Sequence, residues 1–218
     1  MQHEFWHQRW QENQIGFHSP DFNPQLERFW PSLRLAPNSR VFVPLCGKSK
    51  DMLWLLAQDF QVTGVELSPL AVEAFFAENH LHPTLRQHGE FLIREINGLQ
   101  IYCGDFFGLS MQDAGQIEAV YDRAALVALP AEMRLDYATK LSALLQPGAQ
   151  ILLVAFAYPQ HEMPGPPFSV QEDEVDLLFH SFCNIELLTS EDLLQRELRF
   201  KQRGVSSMLE QVYRLSVR

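Results

Sequence analysis

Apolar positions along this 218-residue chain gather into short continuous runs, and stretches with helical spacing lie between them. The rhythm is regular from residue 40 onward. Arg40 to Pro44 and Val62 to Leu67 read as short buried strands bounded by turn residues. Between them, Leu45 to Lys48 makes a loop with one glycine, Gly47, and Asp51 to Ala57 is an apolar helix. Ser68-Pro69 starts a second helix, with serine as N-cap and proline in the first turn, which runs to about Asn79. Phe91 to Ile96 and Leu99 to Cys103 flank Asn97-Gly98, a strong hairpin signal. Ile117 to Tyr121 is the next strand of the main sheet. Glu132 to Leu145 is an amphipathic helix stopped by Pro147-Gly148. Ile151 to Ala157 (strand), Glu172 to Phe179 (helix), Ile185 to Leu188 (strand) and Met208 to Leu215 (last strand) complete the series.

Strands alternating with helices predict a parallel sheet covered on both faces. No clear helix separates the last two strands after Phe200, so they are expected to pair antiparallel through a hairpin around Gly204. The expected architecture is therefore α/β: an open, mostly parallel sheet of about seven strands, antiparallel at its last strand. The length suits one domain over residues 1–218, with no repeat or linker to divide it. Ahead of the regular part, Trp6 and Trp10 are four apart and share one face of a short helix. Asn23-Pro24 and Trp30-Pro31 mark turns around Leu26 to Phe29.

Composition and charge narrow the function classes. No apolar run is long enough to cross a bilayer, and the first ten residues lack the basic start and apolar stretch of a secretory signal. The expected location is cytoplasmic, without a membrane partner. A formal net charge of −10 argues against a nucleic-acid partner, which demands a basic face to displace counterions. The densest basic run, Arg196, Arg199, Lys201 and Arg203, also holds Glu197 and reads as a solvated helix face. Cys46, Cys103 and Cys183 are widely spaced and odd in number, which fits buried free thiols in a reducing compartment. His80, His82 and His88 read as a solvated loop, and no metal is expected. No exposed apolar helix stands out, so a monomer is expected.

Ligands of doubly wound sheets sit beyond the carboxyl ends of the strands. The first strand ends at Pro44-Leu45-Cys46-Gly47 and the second at Glu66, 19 residues beyond Gly47. That spacing is close to the roughly 20 residues expected of an acid that accepts hydrogen bonds from ribose hydroxyls. A helix N-terminal acid favoured by the helix dipole is the alternative reading of Glu66. Three ligands compete for the loop. A nicotinamide dinucleotide calls for Gly-x-Gly-x-x-Gly, and only Gly47 is present. A nucleoside triphosphate calls for a first glycine where Phe42 stands, although Gly47-Lys48-Ser49 matches the end of that motif. S-adenosylmethionine carries no phosphate, and one glycine plus an acid suits it best. Further strand ends add Asp105 and Phe106, an acid and a ring for adenine, and Arg123, for a ligand carboxylate or an anionic substrate. A salt bridge of Arg123 with Asp122 or Glu118 is the competing reading. Phe106 and Phe107 also read as core.

At these residues the chain resembles the thiopurine S-methyltransferase family. The motifs are Ile15-Gly16-Phe17-His18, Val43-Pro44-Leu45-Cys46-Gly47-Lys48, Gly64-Val65-Glu66-Leu67-Ser68, Asp122-Arg123 with Ala125-Leu126-Val127-Ala128, and Pro164-Gly165-Pro166-Pro167-Phe168. The resemblance implies a Rossmann-like class I methyltransferase with residues 1–35 as a cap over the active site. It implies contacts to S-adenosylmethionine from Trp10, Leu45, Glu66, Asp105, Phe106 and Arg123. It places Phe17 over the acceptor pocket and Arg123 and Arg199 beside the acceptor. The implied reaction is methyl transfer to an aromatic or heterocyclic thiol such as a thiopurine. Selenium or tellurium oxyanions, halides and small thiols are the alternative acceptors, as in detoxification and tellurite resistance. A nicotinamide oxidoreductase or a non-catalytic metabolite binder is the reading outside the class. No general base is expected, because an aromatic thiol is acidic enough to ionise near neutral pH. Trp6, Trp10, Phe17 and Phe22 read either as an aromatic lid or as part of a short amphipathic helix packed on the sheet edge.

Overall fold

The structure is a computed structural model and describes residues 3–16, 18–194 and 196–218. The chain opens with α1 (His3–Gln11) and α2 (Pro24–Phe29), followed by a 3-10 turn (Trp30–Leu33). Then come β1 (Arg40–Val43), α3 (Asp51–Ala57), β2 (Gln61–Glu66), α4 (Pro69–Glu78), β3 (Thr84–His88), β4 (Phe91–Ile96) and β5 (Leu99–Cys103). The second half comprises α5 (Met111–Ala114), β6 (Ile117–Arg123), α6 (Ala131–Leu144), β7 (Leu145–Ala157), α7 (Glu172–Phe179), β8 (Cys183–Asp192), α8 (Leu198–Gln202) and β9 (Leu209–Val217). The nine strands among the described residues form one sheet, ordered β3-β4-β5-β2-β1-β6-β7-β9-β8. The run β5-β2-β1-β6-β7 is parallel; β4 and β3 extend one edge antiparallel, and β9 enters antiparallel between β7 and β8.

Strand residues alternate between two apolar layers, as the two-residue period of a strand demands. Phe42, Val120, Ile151 and Leu153 pack on one side with Tyr137 and Leu141 of α6 and Phe179 of α7. Val41, Val43, Tyr121, Leu152 and Val154 pack on the other with Leu55 of α3, Phe75 of α4 and Leu26 of α2. The two helices ahead of β1 are of two kinds. α2 is capped by the Asn23 side chain, which accepts the Gln25 and Leu26 N–H groups, and it buries Leu26 completely. α1 buries none of its residues.

The parallel framework and its antiparallel last strand follow the expected α/β pattern, with four differences. The sheet has nine strands rather than seven. Of the two additions, β4 was legible as part of a hairpin, whereas β3 replaces an expected loop. Every β3 residue is exposed, so it carries no apolar alternation, and backbone pairing with β4 alone makes it a strand. β7 starts at Leu145, before the Pro147-Gly148 stop: Leu145 pairs with Ile117, the ladder slips, and it resumes at Gln150 opposite Ala119. α8 separates β8 from β9, and Gly204, with φ +90°, then turns the chain into the last strand. Among the described residues no helix is long and apolar enough to cross a membrane.

Candidate functional site

A cavity of about 320 Å³ lies beyond the carboxyl ends of the parallel strands, where β2 departs to one side of β1 and β6 to the other. One half of its wall is the loop after β1 and the ends of β2 and β5. The loop turns tightly, with Leu45 at φ +46° and Gly47 at φ +53°. A Cβ at Gly47 would stand 3.3 Å from the Trp10 ring, so glycine lets α1 lie against the loop. Leu45 is one of seven non-glycine residues at positive φ among the described residues, a conformation that costs on the order of 1 kcal/mol or more.

Glu66 is 6% exposed, and its two oxygens accept the Gly47 and Ser68 N–H groups at 2.8 Å each. Burial raises its pKa, and the N–H groups of Ser68, Gly47 and Leu67 oppose that rise. A carboxylate offers about four lone-pair sites, so two bonds leave acceptor capacity for a ligand hydroxyl. Asp105 caps the turn after β5 by accepting the Phe107 N–H at 3.0 Å, and its other oxygen lies 3.4 Å from His3 of α1. Phe106 is 2% exposed and packs on Phe42, Phe107 and Tyr137; it is a core ring whose edge lines the cavity.

Arg123 ends β6 and lines the other half of the cavity. The competing salt bridges do not form. Asp122 accepts the Tyr137 O–H at 2.6 Å and the Leu126 N–H at 3.1 Å, while Glu118 accepts the Arg40 N–H at 2.9 Å. Among the described residues the Arg123 guanidinium has no ion pair. Arg199 of α8 reaches the cavity too, but it is engaged: it donates to the Gly16 carbonyl at 2.5 Å, pairs with Glu197 at 2.9 Å and lies over the Phe200 ring.

Trp10, Leu45, Glu66, Asp105, Phe106, Arg123 and Arg199 thus surround one cavity. Phe17 lies outside the described residues. Of the expected lid, Trp6 and Trp10 line the cavity, whereas Phe22 is 41% exposed and is not part of the wall. The basic run read as a solvated face divides: Arg196 pairs with Glu191 and Glu210, while Arg199 and Arg203 line the cavity. Arg9, His18 and Lys48 also line it without having been singled out. Arg9 lies between Trp6 and Trp10, and His18 and Lys48 each close one of the quoted motifs; Lys48 is held by Glu78 at 2.6 Å. Burial, aided by Lys48, lowers the His18 pKa and favours its neutral form. His88 belongs to β3 and pairs with Asp113 at 2.5 Å. All three cysteines are buried and free.

The family model for thiopurine S-methyltransferase matches residues 1–218. The chain belongs to the thiopurine S-methyltransferase family. It is 49% identical over 218 residues to the thiopurine S-methyltransferase of Nitrosospira multiformis, covering 100% of this chain and 99% of the relative. The Azotobacter vinelandii thiopurine S-methyltransferase is 48% identical over 218 residues, with both chains covered in full. Solved structures agree on the fold at low identity. A SAM-dependent methyltransferase from Methanosarcina mazei superposes with a TM-score of 0.63 at 16% identity, over 90% of this chain and 98% of the other. The 1,6-didemethyltoxoflavin-N1-methyltransferase of Burkholderia thailandensis, solved with S-adenosylhomocysteine, gives 0.64 at 14% identity, over 99% and 87%. Within the thiopurine S-methyltransferase family, then, this chain has the class I methyltransferase fold with its cavity at the usual edge of the sheet.

Proposed function

We propose that this chain moves the methyl group of S-adenosylmethionine to the sulfur of an aromatic or heterocyclic thiol, thiopurines included. The observation that carries the reading is the division of one cavity. A buried carboxylate with acceptor capacity to spare stands on one side, and an arginine with no ion pair among the described residues stands on the other, walled by apolar groups. The residues fit the donor. We assign Glu66 to the ribose hydroxyls, Trp10, Leu45, Asp105 and Phe106 to the adenosyl part, and Arg123 to the methionyl carboxylate or the acceptor. When bound, S-adenosylmethionine supplies a methyl group on a sulfonium: the acceptor sulfur bonds to that carbon while the carbon–sulfonium electron pair returns to the departing sulfur.

The protein's part is alignment and dryness. The apolar wall of Val127, Leu129, Met133 and Phe156 excludes water from the acceptor side. Arg123 favours the thiolate over the thiol, so no general base is assigned. The first 35 residues act as the cap, and α1, which buries nothing in the core, supplies its cavity face through Trp6 and Trp10. The free, buried thiols suit a reducing compartment, and we place the reaction in the cytoplasm.

Incubation with methyl-labelled S-adenosylmethionine and a panel of aromatic and heterocyclic thiols tests the reading. Label is expected in the thioether products and not in the matching alcohols. Arg123→Ala is expected to lower kcat/KM by roughly tenfold to a hundredfold, the value of one or two charge-assisted contacts, and to weaken S-adenosylhomocysteine binding by less. A panel without a labelled thioether sinks the proposal.

A further inference from the structure

An in-line displacement needs donor and acceptor held at a fixed separation. Three parts of the chain set that separation here: the loop after β1 on the donor side, Arg123 of β6 on the other side, and the cap over both. Asp51 joins all three from behind the cavity wall, of which it is not a part. It starts α3 directly after the loop and is 2% exposed. Its N–H donates to the hydroxyl of Ser49, a loop residue that lines the cavity, at 3.3 Å. One carboxylate oxygen accepts the Asn23 N–H at 2.8 Å, and the other accepts the Tyr121 hydroxyl at 3.0 Å. Tyr121 stands two residues before Arg123 on β6, and its ring meets Trp30 edge-on. Asn23 is the N-cap of α2, where the chain coming from α1 reaches the core.

The helix dipole favours an acid in the first turn of α3. That accounts for an acid at the surface and not for a buried one. A carboxylate taken out of water without a cation is expensive. Among the described residues no cation lies within ion-pair distance of Asp51. An asparagine in its place would bring one acceptor oxygen and an amino group that donates. A carboxylate turns an acceptor oxygen toward each of two donors. Burial and the Asp51 charge hold the Tyr121 pKa well above its usual value, so its hydroxyl remains a donor. Asn23 is committed on its other side as well, since its side chain accepts the Gln25 and Leu26 N–H groups. The fastenings of the cap farther out, His3 to Asp105 and Arg199 to the Gly16 carbonyl, are exposed ones. The buried root at Asn23 therefore sets where the cap springs from.

We propose that Asp51 is a positioning residue for methyl transfer: with one oxygen on Asn23 and the other on Tyr121, it sets the cap and the strand of Arg123 at a fixed place relative to the donor loop. It acts through those two residues and takes no proton. The kinetic part of the inference rests on the S-methylation reading.

Asp51→Asn and Tyr121→Phe separate the two bonds. Each variant is read in three ways: kcat and KM in the labelled-methyl assay with a thiol, calorimetric affinity for S-adenosylhomocysteine, and the rate of tryptic cleavage after Arg9 in the S-adenosylhomocysteine complex. Arg9 is the first Lys or Arg of the chain and Arg28 the next, so that cut reports on the cap. Asp51→Asn is expected to lower kcat/KM for the thiol about tenfold, the worth of one hydrogen bond to a charged group, with affinity for S-adenosylhomocysteine within about threefold of native. Cleavage after Arg9 is expected to quicken severalfold. Tyr121→Phe keeps the Asn23 bond, so a smaller loss of kcat/KM is expected with cleavage at the native rate. A purely structural Asp51 lowers the melting temperature and leaves kcat/KM of the folded enzyme and the protection of Arg9 native; that result overturns the proposal. So does an affinity for S-adenosylhomocysteine that falls as far as kcat/KM, since Asp51 then serves the donor loop alone. If Asp51→Asn does not fold, Tyr121→Phe decides, and native kcat/KM in that variant overturns the proposal. A native enzyme that labels no thiol overturns the S-methylation reading instead, and the affinity and cleavage measurements, which involve no acceptor, still decide the role of Asp51.

Discussion

Two buried carboxylates stand on the strands that flank β1, Glu66 at the end of β2 and Asp122 one residue from the end of β6, and they serve different ends. Glu66 takes only backbone donors, from the loops on either side of it, and lines the cavity. Asp122 is fully buried and is closed off from the cavity by the Tyr137 hydroxyl of α6 and the Leu126 N–H. Strand alternation then turns its neighbour, Arg123, the other way and into the cavity. An acid at a strand end is therefore not by itself a ligand contact. What separates the two is access: Asp122 is spent on Tyr137 and Leu126 inside the core, whereas Glu66, with as many bonds, keeps an edge on the cavity.

The largest expected effect tests the anchor. Asp122→Ala leaves two buried donors, the Tyr137 hydroxyl and the Leu126 N–H, without an acceptor, and is expected to cost about 3 kcal/mol of stability in urea unfolding. Native-like stability in that variant would break the contrast from one side. Glu66→Ala tests the other acid. Its binding of S-adenosylhomocysteine is expected to weaken by roughly 1–3 kcal/mol in calorimetry, the range for lost charged hydrogen bonds. Unchanged affinity removes the ribose role and makes Glu66 a second anchor.

A further test is a pH dependence. Burial pushes the Asp122 pKa up to about 6, against the donors of Tyr137, Leu126 and Ala125. Its unfolded value is about 3.9, so between these limits the native state keeps a proton that the unfolded chain has released. The contribution of Asp122 to stability is thus full below the unfolded pKa and is lost as pH rises through the native one. Asp122→Asn carries no such proton. Its stability relative to the native chain is expected to climb from about pH 4 to about 6 and then level off. A flat difference across that window means that Asp122 is ionised throughout it.

The framework around Glu66 was legible because each of its signals is local. A buried strand, one glycine and an acid at the right spacing all lie within the stretch from Val41 to Glu66, and the Ser68-Pro69 helix start confirms where the second strand ends. The anchoring of Asp122 was not legible, since Tyr137 is 15 residues away and nothing in the chain marks the two as partners. β3 was missed for a different reason: an edge strand held by backbone pairing has no burial to print on its side chains. The basic run around α8 is exposed, as read, but that Arg199 and Arg203 also border the cavity could not be seen in one dimension.

Sequence by itself determined the alternation of strands and helices, the parallel core they build, the loop with one glycine, and membership in a methyltransferase family. These follow from periodicity, turn chemistry and motif, all of which act over a few residues. The tertiary structure alone decided which charges face the cavity. It closed Asp122 with Tyr137, bound Arg199 to Gly16, and left Arg123 without an ion pair among the described residues. A charge takes its role from the donors, acceptors and apolar walls that surround it, and those are brought together only when distant parts of the chain pack.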